Sequence, residues 1–310
     1  MAVRRIRRDE GLRATIVRSR PLVDPRTGER VGAASAAVLQ RGRLFCVQDD
    51  ALSAVWIDPV TLSIETVVLQ GRGQRLPKKK KADFEAAFAT TEGTIFVLGS
   101  GGTERRRSVV RYDPRDESVE VTDATALHEA LAARLGRAPN IEGAAMLEGD
   151  VVRLFHRANG KAAGHNASFD VRLDALRSGE GAILDEALYD LGTVALDAAA
   201  DAPQNEEPTE IALTFTDATR LPDGRILFLA GAEDCADAVA DGPVLGAAIG
   251  LLEGEGGRYA MLAEEDGSLS HRKIEGVAVL PGGREAFVVT DPDDVERASE
   301  LCTVVLEGRW

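Results

Sequence analysis

Four acidic residues recur at one point of four similar segments: Glu85, Glu142, Asp217 and Glu275. Each is followed by a small residue, an apolar run, a Gly turn and a second apolar run, as in Glu142-Gly-Ala-Ala-Met-Leu-Glu-Gly-Asp and Glu275-Gly-Val-Ala-Val-Leu-Pro-Gly-Gly-Arg. Radial symmetry would bring the four carboxylates together at one mouth. Converging carboxylates repel, so some must take up protons or find a cation. Calcium suits such oxygen donors, with Asn140, Asn166 or backbone carbonyls completing its shell. Glu85, Glu142, Asp217 and Glu275 are therefore candidate metal ligands. A second reading stands beside this one: Lys81, Lys273 and Arg157 neutralise the acids as a buried ion-pair ring.

Basic residues cluster near the same acids. Lys78–Lys81 lead into Glu85, and Arg105–Arg107 follow a Gly99-Ser-Gly-Gly stretch. Arginine suits bidentate recognition of phosphate or carboxylate. Lys81, Arg105, Arg107, Lys273 and Asn166 are thus candidate ligand-binding residues for a small anion. His156 and His165 lie in one loop with Arg157 and Asn166. From these, His156 and Arg157 are the candidate catalytic pair, with the imidazole supplying acid–base chemistry. There is no serine elbow, nucleophilic triad or Cys/His metal spacing.

Repeats of this length point to an all-β fold, a β-propeller. A fifth segment, Ser35-Ala-Ala-Val-Leu-Gln-Arg-Gly-Arg-Leu-Phe, keeps the pattern without the acid. Each repeat reads as four strands; in the second they fall near 85–90, 94–99, 108–113 and 118–122. The last repeat has room for three, so Leu12–Arg18 is expected to supply its outer strand and close the ring. Five blades in one domain, 1–310, follow, with six as the alternative because 176–216 has room for further strands. Thr125–Leu135 has helical spacing and Gly136 as its stop, an inserted short helix. If inner strands start at the mouth, the Gly turns fall on the far face. The mouth then collects 48–50, 71–81, 99–107, 156–166, 233–243, 270–273 and 291–294, an uneven sorting typical of functional loops.

Composition narrows the field. The chain has 310 residues and a formal net charge of −14, which disfavours nucleic-acid binding by phosphate repulsion. No run of 18 apolar residues suggests a membrane helix. The basic N-terminus lacks the apolar stretch of a secretory signal. Cys46, Cys235 and Cys302 are too few and scattered for a disulfide framework. A monomer in a reducing cytoplasm is the expectation.

The segments 76–85, 98–107, Thr216-Asp-Ala, 241–246 and Lys273-Ile-Glu-Gly276 resemble an uncharacterised family of bacterial propeller proteins and, more distantly, the "esterase-like activity of phytase" family. The nearer resemblance implies the fold. The distant one implies a tunnel metal site, as in calcium-dependent propeller lactonases and phytases, to which Glu85, Glu142, Asp217 and Glu275 would correspond. Two functions are expected on these grounds: a cation-assisted hydrolase of phosphate esters or lactones, or a non-catalytic binding propeller with an ion-pair ring.

Overall fold

Apolar runs cut by Gly, Asn and Asp turns become strands close to where the pattern puts them. A computed structural model describes residues 2–77, 80–158, 164–195, 210–235 and 242–310. Two strands precede the repeats, β1 (Val3–Arg8) and β2 (Arg13–Pro21). The first antiparallel group of four is β3 (Ala34–Gln40), β4 (Arg43–Gln48), β5 (Ser53–Ile57) and β6 (Ile64–Val68). The second is β7 (Phe84–Ala89), β8 (Ile95–Gly99), β9 (Ser108–Asp113) and β10 (Ser118–Asp123).

Helix α1 (Thr125–Leu135) follows, with the Thr125 N–H donating to Asp123 Oδ1 at 2.9 Å and Gly136 ending it at φ 70°. The third group is β11 (Ile141–Met146), β12 (Val151–His156), β13 (Asn166–Arg172) and, after helix α2 (Leu173–Ser178), β14 (Ile183–Asp190). Helix α2 leaves no signal in the sequence, because six residues are too few to show a period. Next comes a two-stranded ribbon, β15 (Thr193–Ala195) and β16 (Glu210–Ala212). The fourth group is β17 (Thr214–Arg220), β18 (Ile226–Glu233), β19 (Val244–Glu253) and β20 (Gly256–Ala263). The fifth is β21 (Ile274–Val279), β22 (Glu285–Thr290) and β23 (Glu300–Glu307), with β2 antiparallel to β23.

Strand β1 also escaped the sequence pattern. Its only buried residue is Ile6, and the rest is mostly arginine. It lies parallel to both β14 and β20, bridging the outer strands of the third and fourth groups. All three cysteines are buried and none forms a disulfide. Among the described residues no helix is long and apolar enough to cross a membrane.

The first strands of the groups carry the site. β3 packs on β7, β7 on β11, β11 on β17, β17 on β21, and β21 on β3. Each has a register irregularity near its start, between Ala34 and Ala36, Phe84 and Ala86, Ile141 and Gly143, Phe215 and Asp217, and Ile274 and Gly276. The residues skipped are Ser35, Glu85, Glu142, Thr216 and Glu275. A bulge leaves one residue outside the ladder and re-aims its side chain. The small residue after it is explained by packing. A Cβ on Gly276 would lie 2.7 Å from Val289 Cγ2 and 2.9 Å from the backbone of Ala36 and Ala37. Gly276→Val is expected to cost about 1–3 kcal/mol by overpacking. The urea midpoint should fall with little change in slope. An unchanged midpoint would show that β21 does not need this close approach to β3.

Candidate functional site

The bulges and the loops above them enclose a cavity of about 270 Å³. Its wall draws on nearly every segment assigned to the mouth: Asp49 and Asp50, Arg75–Pro77, Lys81, Arg106, Arg157, Glu233, Lys273 and Asp291–Val295. Ser35, Glu85, Glu142 and Glu275 line it from their bulges. The far opening is lined instead by residues such as Ala37, Val38, Ala87, Phe88, Ala144 and Met146. The titratable chemistry is at one end.

Three nodes organise the charged wall, each with its bases shared among acids. In the first, Lys81 Nζ contacts Asp49 Oδ2 and lies 3.0 Å from Asp83 Oδ1. Asp83 also meets Arg106 Nη1 at 2.7 Å and the Ser100 hydroxyl. In the second, buried Arg157 reaches Glu233 Oε2 at 2.7 Å, Glu142 Oε2 at 3.6 Å and Glu275 Oε1 at 3.7 Å. Its Nε donates to Thr214 Oγ1 at 3.2 Å, and Asn140 Nδ2 donates to Glu142 Oε1 at 2.6 Å. In the third, Lys273 Nζ lies 2.6 Å from Asp293 Oδ1 and 3.7 Å from both Glu275 Oε1 and Asp291 Oδ2.

Burial and crowding set the proton affinities. Burial pushes Glu85 and Glu142 above the ordinary carboxylate range, with Asp83 adding repulsion to each. Burial raises Glu275 to about 8 and Asp291 to about 7, against the pull of Lys273 and, at Glu275, of Arg157. For Lys81, Arg157 and Lys273 burial works downward, but the surrounding acids outweigh it and hold all three above their usual values. The bases are therefore firmly charged, while part of the acid ring holds protons near neutrality.

The structure sorts the sequence candidates. Glu85, Glu142, Glu275, Lys81, Lys273 and Arg157 come together at the cavity. Asp217 does not. It sits one residue past the bulge, at the position that is Ala36, Ala86, Gly143 or Gly276 in the other repeats. Its Oδ1 accepts from the Ala218 N–H at 2.7 Å and its Oδ2 from the Val277 N–H at 2.8 Å; the Ala37 N–H also donates to it. Asp217 is thus a tie between β17, β21 and β3. The true equivalent of the acids is Thr216, whose hydroxyl donates to the Ile274 carbonyl at 2.8 Å, as Ser35 does to Phe84 at 2.5 Å.

His156 is not in the cavity wall. Its Nδ1 accepts from the Asn140 N–H at 2.9 Å, and burial lowers its proton affinity to about 4, leaving a neutral core histidine. Arg157, held by three acids, serves charge balance rather than proton transfer. Asn166 ties loops, accepting from the Ala158 and Phe215 N–H groups and donating to the Leu213 carbonyl. Arg105 is exposed, and Arg107 pairs with Glu129 of α1 at 3.5 Å. Arg106, between them, is the one that faces the site. Lys78 and Lys79 lie outside the described residues. Sequence reasoning passed over Asp49, Glu233 and Asp291, which lie in the mouth segments, and Asp83, just past one of them; none shares the repeat position.

Charge decides what the cavity can hold. Among the described residues its wall has ten acidic and five basic side chains. All five bases are already paired, Arg75 with Asp50 at 2.8 Å. The expected anion site is therefore not formed by free cations. Asp49, Asp83 and Glu85 each offer an oxygen, all within 4.8 Å of one another, and so have the donor type and spacing to hold a hard cation. Of the four acids expected to hold metal, only Glu85 belongs to that group. The Lys81 ammonium stands on two of its members.

Residues 30–306 match a family described as "Family of unknown function (DUF6929)". No curated protein matches the chain. Solved structures resemble it at low identity. A calcium-binding protein, regucalcin, from Agrobacterium tumefaciens is 10% identical with a TM-score of 0.49, covering 100% of this chain and 98% of its own. The catalytic domain of a Coprinopsis cinerea GH62 α-L-arabinofuranosidase is 10% identical with a TM-score of 0.49, covering 95% and 96%. A gluconolactonase from Xanthomonas campestris is 10% identical with a TM-score of 0.43, covering 94% and 90%. None of these likenesses is close enough to carry an activity across. The resemblance to the phytase-related family gains no support from them.

Proposed function

We propose that this chain, which belongs to the DUF6929 family of unknown function, is a single-domain five-bladed propeller that binds a small positively charged ligand at its acid-rich mouth. The five four-stranded groups are its blades, and β2 completes the last of them. One observation carries the functional reading: among the described residues, acids outnumber bases two to one in the wall, and every one of those bases is paired. Among the described residues an anion would meet surplus carboxylates and no free cation. A cation would offset the burial and the like-charge repulsion that raise Glu85, Glu142 and Glu275. Calcium, at Asp49, Asp83 and Glu85, is one such cation.

Thermal melting at low ionic strength tests this. A ligand that binds the folded state raises the midpoint in proportion to the logarithm of its concentration. Millimolar calcium or a small amine should raise it, and sodium phosphate at equal ionic strength should not. A rise with phosphate alone would overturn the reading.

A second reading rests on Glu275. A buried carboxyl held near 8 is protonated at neutral pH and suits general-acid work, the chemistry of a hydrolase of esters or lactones. Turnover of lactones that vanishes in Glu275→Gln would support it.

A further inference from the structure

The ring leaves one buried acceptor unmet. Glu275 lines the cavity and is only 4% exposed, yet its Oε2 has no hydrogen-bond partner among the described residues. Its Oε1 lies 3.7 Å from both Arg157 Nη1 and Lys273 Nζ, too long for a hydrogen bond. An unmet buried acceptor costs free energy, so in a cavity it points to a donor from outside.

The rest of the wall says which donor. Surplus acid selects positive charge. The ring's own cations, Lys81, Arg157 and Lys273, are all nitrogen cations shared among carboxylates. The wall also includes apolar Ala33, Leu76, Pro77 and Val295, with Val295 87% exposed. A bare metal ion gains nothing from that surface, whereas an aliphatic chain gains by covering it.

We propose that the mouth receives an aliphatic primary ammonium, which donates an N–H to Glu275 Oε2 while its chain covers Leu76, Pro77 and Val295. This rests on the cation-binding reading and narrows it to an organic amine. Shape and charge fit together: the cavity of about 270 Å³ takes a short chain, and the carboxylates around Glu275 take its head.

Isothermal titration of the full chain at pH 9 and low salt, where Glu275 is ionised and the amines are still charged, tests the proposal, with methylammonium, pentylammonium, tetramethylammonium, calcium chloride and sodium phosphate as probes. Pentylammonium should bind with one site per chain, about tenfold or more tighter than tetramethylammonium, which has charge but no N–H to donate. Affinity should also rise from methylammonium to pentylammonium. Glu275→Gln should weaken pentylammonium by about tenfold. Where that variant fails to fold, Leu76→Ser should weaken pentylammonium several-fold and spare methylammonium.

Equal affinity for pentylammonium and tetramethylammonium, or a folded Glu275→Gln variant that binds as the wild type does, would overturn the proposal. Calcium binding without amine binding would overturn it while leaving the cation reading in place. Phosphate binding alone would overturn both.

Discussion

Arg157→Met is expected to cost about 3–5 kcal/mol, because it strands buried acids that share one guanidinium. Glu142, Glu233 and Glu275 each lie within 3.7 Å of it. Methionine keeps much of the volume, so the loss reports charge rather than a cavity. Its pH dependence separates this account from simple misfolding. The folded-state proton affinity of Glu275, about 8, lies above the unfolded value of about 4.3. A group raised in this way contributes stability that is full below about pH 4.3 and is lost as pH rises through about 8. The wild type should therefore lose stability progressively above about pH 4.3, with the loss complete above about pH 8. The variant, whose acids lack their counter-charge, should be most impaired there and draw closer to the wild type near pH 5. Urea unfolding of both proteins at pH 5, 7 and 9 measures the difference. A gap independent of pH would mean that Arg157 acts through packing alone.

Asp217→Ala should be as damaging, though Asp217 does not line the cavity. Removing the carboxylate leaves the Ala218, Val277 and Ala37 N–H groups without their acceptor, at about 1–3 kcal/mol each when buried. Losses at one site do not simply add, so a total on the order of 3–5 kcal/mol is expected. The urea midpoint should fall sharply, while calcium or amine binding, measured well below the melting temperature, should persist. A stable Asp217→Ala protein that has lost cation binding would restore Asp217 as a ligand and refute its assignment as a tie.

That residue shows where the sequence could be read and where it misled. The strand boundaries and α1 were legible, because alternation and Gly or Asp turns are local signals. The repeat phase was also legible in the residue before each bulge. Phe215-Thr216-Asp217 aligns with Phe84-Glu85-Ala86 and Ile274-Glu275-Gly276, which makes Thr216 the counterpart of the acids. Matching on charge alone shifted the fourth repeat by one residue, and a one-residue shift changes which face a side chain takes.

Loop residues failed for a different reason. Arg105, Arg106 and Arg107 are identical in composition, and only the short turn at 104–106 decides that Arg106 reaches Asp83. His156 ends β12 with its ring directed to the Asn140 backbone, a contact between chain segments that spacing does not encode. Asp49, Asp83 and Asp291 come from three different loops and Glu233 from the end of β18, and nothing but the folded ring brings them together.

The central claim is that the mouth selects positive charge. The most direct measurement is crystallographic: matched crystals soaked in pentylammonium chloride and in sodium phosphate at equal ionic strength. The account predicts ordered amine density in the cavity, its nitrogen within hydrogen-bond distance of Glu275 Oε2, and no phosphate there. Phosphate bound against Arg157 or Lys81, with the amine-soaked cavity showing only solvent, would contradict it.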